Sequence, residues 1–397
     1  MAAAAEIRAV PPELRCIGRN LEFELLLACC GKGDGELGLA ALLRPQLDWG
    51  RLLSLAERHR LFPALSAFLQ HRPGVPCSIQ SALQARFQAH ARRALRFSAE
   101  LTAVLKKFED RGIHVLAHKG PALAQLLFGD PAMRQFGDLD FLIHSSDIPR
   151  ARAALRELGY GPNLHLSARQ ERAYLQSGYE YVFGCESGEH LLELQWQVLP
   201  RFYSVGFDMD AMFSRSVEIK AEGRPVRVLG NDELMLVLCV HAAKHEWAQL
   251  SMIRDISALA RFDLDWKWIE AEARRLGILR ILMISVLLAR QLLGLELPII
   301  GRGSSEMRKC EQLAADFQRK LENGEESLPE SWRYFLSMMQ LREHRRDRMR
   351  FLWRLAVTPS VGEWKSLEIP DNYFPLYRAV RVVRLLRRVI TRPALNA

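Results

Sequence analysis

Several things are scarce in this 397-residue chain, and each scarcity excludes something. There are seven cysteines, at positions 16, 29, 30, 77, 185, 239 and 310, an odd number that never falls in CxxC spacing. That argues against a disulfide framework or a cysteine zinc site and for a reducing compartment. Long apolar runs are missing as well. The most apolar stretch, Ile281 to Ala289, is short and held between Arg280 and Arg290, too brief to span a bilayer. The opening MAAAAEIRAV has neither the basic start nor the apolar run of a signal peptide, so a cytoplasmic location is expected.

Net charge is absent from most of the chain. The whole sequence carries +9, but from Ser331 onward 14 Lys and Arg stand against 5 Asp and Glu. The first 330 residues therefore balance at 41 of each sign. A basic nucleic-acid-binding surface over that part is not expected. The length suggests two to three domains or subdomains, with an ordinary globular composition of 49% hydrophobic and 25% charged residues.

The most informative chemistry lies between Ile113 and Ser145. Asp138-Leu139-Asp140-Phe141-Leu142-Ile143 reads as a strand, entered from Gly137 and left at His144-Ser145-Ser146. Side chains alternate along a strand, so Asp138 and Asp140 point the same way. Two adjacent carboxylates call for a cation, and oxygen ligands suit Mg²⁺ or Mn²⁺ shared with substrate phosphates. This pattern fits metal-assisted phosphoryl or nucleotidyl transfer. Upstream, Ile113 to Ala117 reads as a second strand that breaks at His118-Lys119-Gly120-Pro121 into a helix over Ala122 to Phe128. A strand, a glycine turn and a helix start offer free backbone N–H groups to an anion, with Lys119 beside them and Arg134 nearby in the loop.

The ordered set Lys119-Gly120, Gly129-Asp130-Pro131, Arg134, Gly137-Asp138-Leu139-Asp140 and Leu158-Gly159-Tyr160 resembles the uncharacterised nucleotidyltransferase family of the polymerase-β-like superfamily. The resemblance implies a third acid on a later strand, and Glu193 in the strand His190 to Val198 is the candidate, as general base or metal ligand. Glu186 and Glu189, in a hairpin turn before it, compete for that role. The family pattern there is acid-x-His-Trp, whereas this chain reads Glu193-Leu194-Gln195-Trp196. The superfamily's glycine turn also usually carries a serine, which Lys119-Gly120-Pro121 lacks.

A second block, His241-Ala-Ala-Lys-His245 with Trp247, Leu250 and Asp255-Ile256, resembles the same family, so the likeness covers roughly residues 45 to 265. Helical spacing puts His241, Lys244 and His245 on one face of a helix opening near Asn231 or Asp232 and running on to Phe262. Ala242 follows the first histidine, so this is not the HExxH of zinc proteases. The trio suits triphosphate oxygens, or else forms a partly exposed helix face. Asp255 either orients one of these bases or caps a core contact.

The expected architecture is α+β, a small mixed β-sheet nucleotidyltransferase core with extensive N- and C-terminal α-helical regions. Its parts are a helical N-terminal region (1–110), the α/β core (111–230), a helical domain contributing to the site (231–345) and a basic C-terminal segment (346–397). In the first part, Asp48 caps a helix led by Trp49, and Ile79 to Glu109 reads as one long helix. This part reads as packing without chemistry. In the last, Tyr377 to Ile390 interleaves Val380, Val383, Leu385, Leu386 and Val389 with arginines. Such a helix can lie on an anionic membrane, bind nucleic acid or dock on a partner, or pack its apolar side inward with arginines in solvent.

The expected function is transfer of a nucleoside monophosphate from an NTP, ATP foremost, to a hydroxyl or phosphate acceptor, a peptide or small molecule such as a sugar rather than nucleic acid. Asp138, Asp140 and Glu193 would hold the metal, and Lys119, Gly120, Arg134, His241, Lys244 and His245 would meet the nucleotide. Kinase-type γ-phosphoryl transfer, a non-catalytic nucleotide-binding module and a nucleic-acid-modifying role through the basic tail are the alternatives.

Overall fold

The computed structural model describes residues 20–31, 43, 46–185, 191–298, 300, 305–325, 331–367 and 369–390. Four helices come first: α1 (Leu21–Cys30), α2 (Trp49–Arg58), α3 (Phe62–Leu69) and α4 (Cys77–Glu109). Asp48 caps α2 by accepting from Arg51 N at 3.0 Å, as its sequence suggests. A mixed α/β segment follows: β1 (Val115–Ala117), α5 (Gly120–Phe128), β2 (Asp138–Ile143), α6 (Ile148–Glu157), β3 (Tyr160–Pro162), α7 (Ala168–Ser177), β4 (Glu180–Cys185) and β5 (Leu191–Gln195). The five strands form one sheet in the order β1-β2-β5-β4-β3. β2 runs parallel to β5 and antiparallel to β1, so the sheet is mixed.

The period of two along β2 divides its residues between the sheet's faces. Leu139, Phe141 and Ile143 enter a core shared with Phe97, Leu101 and Phe108 of α4. Asp138 and Asp140 point to the opposite face, where Leu142 joins a second core built from the flanking helices. On β5, Leu192 and Leu194 face the first core, which leaves Glu193 and Gln195 on the side of the aspartates. The fold is α+β, a small mixed sheet between extensive helical regions.

Beyond the sheet come α8 (Met209–Ser214) and a hairpin of β6 (Val217–Ala221) and β7 (Arg224–Val228). This hairpin is not anticipated from the sequence. The signal lay in Glu222-Gly223, both at positive φ (50° and 75°), which is the backbone of a tight hairpin turn. The helices α9 (Asn231–Lys244), α10 (Leu250–Leu259), α11 (Trp266–Leu276), α12 (Leu279–Leu293), α13 (Ser305–Asn323), α14 (Trp332–Gln340), α15 (Arg345–Val357), α16 (Val361–Ser366) and α17 (Tyr377–Ile390) complete the chain.

Two expectations about α9 need correction. The helix does not run on to Phe262, because Glu246 and Trp247 take left-handed backbone (φ 51° each) and separate it from α10. The cause is tertiary. Trp247 is fully buried and donates its indole N–H to Ser285 Oγ on α12 at 3.0 Å. Neither Asn231 nor Asp232 caps the helix. Gly230 holds the cap position, and Asp232 Oδ1 instead accepts from Asp265 N at 3.0 Å.

Candidate active site

β2 and β5 lie side by side in a register that pairs Asp140 with Glu193 and Asp138 with Leu191. Three carboxylates thus stand on one face of two adjacent strands, above a cavity of about 350 Å³. Lys119 and Arg134 reach the cavity from the segments flanking α5, and His241, Lys244 and His245 from the end of α9. Of the nine site residues the sequence suggested, only Gly120 does not line the cavity. It is buried behind the wall, where an added Cβ would meet Asp138 O at 2.9 Å. Its φ of +57° opens α5, so a glycine is needed there for both close approach and backbone conformation. Glu186, Glu189 and their turn lie outside the described residues.

The carboxylates are bound into a network. Lys119 Nζ lies 3.2 Å from Asp140 Oδ1. Gln195 Nε2 donates to Asp140 Oδ1 (3.1 Å) and to Glu193 Oε2 (2.9 Å). Its Oε1 accepts from His118 Nε2 at 2.9 Å. Gln195 occupies the position where the family pattern has histidine, and here its amide holds two acids and an imidazole at once. Arg134 is fixed from behind by Asp255, Nε to Oδ2 at 2.9 Å. Asp255 therefore orients an arginine, neither a histidine nor a merely apolar contact. Lys244 Nζ donates to Tyr179 Oη at 2.8 Å, and His241 and His245 stand edge to face at 4.8 Å.

Burial, followed by the charges of Asp140 and Glu180, pushes the Glu193 carboxyl up to about 8. Asp138 is raised for the same two kinds of cause, burial and Asp140. Burial would raise Asp140 too, but the nearby Lys119 and His118 outweigh it and hold Asp140 low. Burial works against the Lys119 ammonium, yet Asp140, Glu193 and Asp138 together keep it raised and charged. Burial lowers Lys244, draws His118 and His245 down to about 4, and takes His241 well below its ordinary value. These histidines are neutral near pH 7, able to accept or donate single hydrogen bonds without adding charge.

The donor set fits a hard divalent cation. Asp140 Oδ2 is buried and has no hydrogen-bond partner, while Asp138 and Glu193 offer further oxygens on the same face. Among the described residues, no three Asp, Glu, His or Cys side chains are drawn together closely enough to hold a metal ion as they stand. Lys119 and Gln195 engage Asp140 Oδ1 instead, so the oxygens are neutralised by protein donors.

Sequence reasoning missed four contributors. His118 stands beside Lys119, but nothing local reveals its bond to Gln195 across 77 positions. Arg60 lies in the N-terminal helical part, read as packing alone, yet it lines the cavity. Tyr179 and Glu180, at the entrance to β4, line it too.

A family model described as "uncharacterised nucleotidyltransferase" matches residues 45–294. No curated protein matches the chain. Three solved structures are similar over part of it. A crystal structure of ANT(2")-Ia in complex with adenylyl-2"-tobramycin is 16% identical, covering 56% of this chain and 98% of that one, with a TM-score of 0.27. A solution structure of ANT(2'')-Ia is 15% identical over 57% and 93%, TM-score 0.28. A crystal structure of an antigenic nucleotidyltransferase-like protein from Paracoccidioides brasiliensis is 13% identical over 57% and 90%, TM-score 0.29. At such scores these three likenesses carry no weight for this chain.

Proposed function

The chain belongs to the uncharacterised nucleotidyltransferase family, and from that premise we propose that it is a metal-dependent enzyme moving a nucleoside monophosphate from an NTP, ATP foremost, to a hydroxyl or phosphate acceptor. The observation that carries this reading is the pairing of Asp140 with Glu193 across β2 and β5, beside one cavity that Lys119, Arg134 and Lys244 also line. Acids and cations gathered around one cavity suit a substrate that arrives as a magnesium-bound polyphosphate.

Asp138, Asp140 and Glu193 would hold Mg²⁺ or Mn²⁺. The bound ion would draw charge from the triphosphate and the leaving pyrophosphate. The protein's own groups do the rest. Lys119 and Arg134 bring fixed positive charge to the phosphates, Arg134 held in place by Asp255. Lys244, braced by Tyr179 Oη, adds a second ammonium. His241 and His245 donate or accept hydrogen bonds without adding charge. Glu193, on the strand beside Asp140, would either complete the metal's oxygen ligands or take the acceptor hydroxyl's proton. The acceptor, a peptide or small molecule, approaches from the open side of the cavity, and a cytoplasmic setting would supply the NTP.

The test is calorimetric titration of ATP, CTP, GTP and UTP with Mg²⁺ or Mn²⁺ into the wild type and Asp138→Asn. Metal-dependent binding lost in the variant is expected. Absence of binding by folded wild-type protein would overturn the reading. Once an acceptor is in hand, release of pyrophosphate rather than ADP separates nucleotidyl from γ-phosphoryl transfer.

A further inference from the structure

The second notable feature of this molecule is its C-terminal surface. Among the described residues, ten of the thirteen large apolar side chains that are exposed lie from Leu336 onward. The same part of the sequence holds the entire net positive charge. Packing of α17 explains much of this, because the helix buries one of its arginines and leaves part of its apolar residues outside. Arg381 points inward, 3% exposed, with Nη1 3.2 Å from Glu363 Oε1 and Nε donating to Leu355 O at 3.1 Å. Arg384 shares Glu363 at 2.9 Å. Val382, Val383 and Leu386 are left outside together with Arg378 and Arg387. A helix that buries one arginine and exposes valine and leucine among others presents a mixed apolar and basic face to its surroundings.

That face begins at a groove of about 370 Å³ between α7, α15 and the start of α17. Arg378 lines the groove, and Val382 and Leu386 follow it at four-residue steps on the same side of the helix. On α15, Trp353 lines the groove and is 69% exposed, with Met349 one turn earlier also exposed. Arg201 and Arg354 complete the basic lining, which includes no Asp or Glu. Among the described residues, none of Arg201, Arg354 and Arg378 has a carboxylate partner. Arg354 is pushed below its ordinary value by partial burial and by the charges of Arg201 and Arg350, the mark of positive charge left uncompensated.

From these relationships we propose that the groove and the outer faces of α15 and α17 form a docking surface for an anionic phospholipid bilayer. The arginines would meet headgroup phosphates, while Trp353, Val382, Val383 and Leu386 enter the interfacial layer. The composition favours lipid over other anionic partners. A nucleic-acid surface would need the cations but leave an aliphatic row without a purpose. A second copy of this chain presents no net negative body to the arginines, because residues before Ser331 balance to zero. An interfacial layer satisfies both halves, since Trp and Arg settle at the headgroup level and aliphatic side chains just below it. Among the described residues no helix is long and apolar enough to cross a membrane, so attachment is to the surface. The groove adjoins the candidate active site through the chain itself. Ser177 lines the groove and Tyr179 the cavity, as do Arg201 and Leu199 respectively. Attachment here would hold the cavity close to the membrane plane.

The test is co-sedimentation of the full-length protein with vesicles of phosphatidylcholine alone and of phosphatidylcholine mixed with phosphatidylglycerol. Binding to the mixed vesicles only is expected. Trp353→Ser combined with Val383→Ser and Leu386→Ser should weaken it about tenfold or more. Arg354→Glu should weaken it about fivefold or more and flatten the salt dependence of what binding remains. The apolar changes are on exposed side chains, so an unchanged melting temperature shows that the fold is retained. No binding of folded wild-type protein to anionic vesicles overturns the proposal, as does binding that the variants leave unaltered. It is overturned equally if the triple variant abolishes self-association or single-stranded RNA binding while vesicle binding is absent.

Discussion

Lys119 Nζ and Asp140 Oδ1 are 3.2 Å apart in an ion pair that is almost wholly removed from solvent. Lys119 is the last residue before α5 and Asp140 is central in β2, so the pair joins the glycine turn to the acidic strand. Its other carboxylate oxygen, Oδ2, has no hydrogen-bond partner. Loss of Lys119 would therefore leave a buried charge with little compensation. Lys119→Met is expected to lower the stability of the metal-free protein by about 3 kcal/mol. Lys119→Met/Asp140→Asn should recover most of that loss, because replacing both partners leaves no isolated charge. Urea unfolding of the four species in a double-mutant cycle measures this directly. A single variant as stable as the wild type would contradict it.

Gly120 is expected to tolerate no side chain. A methyl group there meets Asp138 O at 2.9 Å on backbone already at φ +57°, and relief would require displacing the start of β2. Gly120→Ala should cost about 2–3 kcal/mol and should also weaken metal-dependent nucleotide binding, because Asp138 would move with its strand. Pro121→Ala, one residue further on, should leave binding close to wild type. Comparing melting temperature and nucleotide affinity in the two variants separates a local close-approach effect from general sensitivity of the turn.

How much of this was legible in the sequence depended on range. The bounds of β2 and the common face of Asp138 and Asp140 follow from a period of two over six residues, and the structure agrees. Asp48 as a cap and the long helix α4 were equally local. The placing of Glu193 beside Asp140 depends on the register of two strands more than fifty positions apart, and only family likeness indicated it. His118 and Arg60 gave no such sign. The break after α9 could not be read either, because local helix preference yields there to the burial of Trp247. For α17 the alternation of apolar and basic residues was plain, but the burial of Arg381 against Glu363, with Val382, Val383 and Leu386 exposed, depends on a partner eighteen positions away.

His59 supplies a test of pH dependence away from the carboxylates. Its Nδ1 accepts from Leu250 N at 3.4 Å, tying the end of α2 to the start of α10. Burial, with Arg58 as the lesser cause, lowers its pKa to about 4. The folded state therefore binds a proton less readily than the unfolded chain, whose histidine titrates near 6.5. Its contribution is fully present above about pH 6.5 and falls as pH drops toward 4, by up to about 3 kcal/mol. His59→Gln removes this titration, so its stability should decline less than the wild type's between pH 6.5 and 4. Parallel urea titrations of the two proteins would show it, and curves of equal slope would refute it.

Gln195 gives the sharpest contrast, because its amide is the hinge of the acidic network. Gln195→Leu removes the donors to Asp140 and Glu193 and leaves His118 Nε2 without an acceptor. A loss of about 2–3 kcal/mol is expected, with little change between pH 5 and 8 from the substituted side chain itself. Gln195→Glu retains an acceptor for His118 but sets another carboxylate against two existing ones. Burial and these neighbours would raise the new carboxyl above its unfolded value. Its penalty is then small below about pH 4.5, where both states hold the proton, and grows as pH rises. At pH 8 this variant should be less stable than Gln195→Leu, and at pH 5 the order should narrow or reverse. Addition of Mn²⁺ should restore the glutamate variant more than the leucine one, since only the former adds an oxygen ligand. Thermal melts of both proteins at the two pH values, with and without Mn²⁺, test the network, and a leucine variant as stable as the wild type would show that Gln195 holds nothing in place.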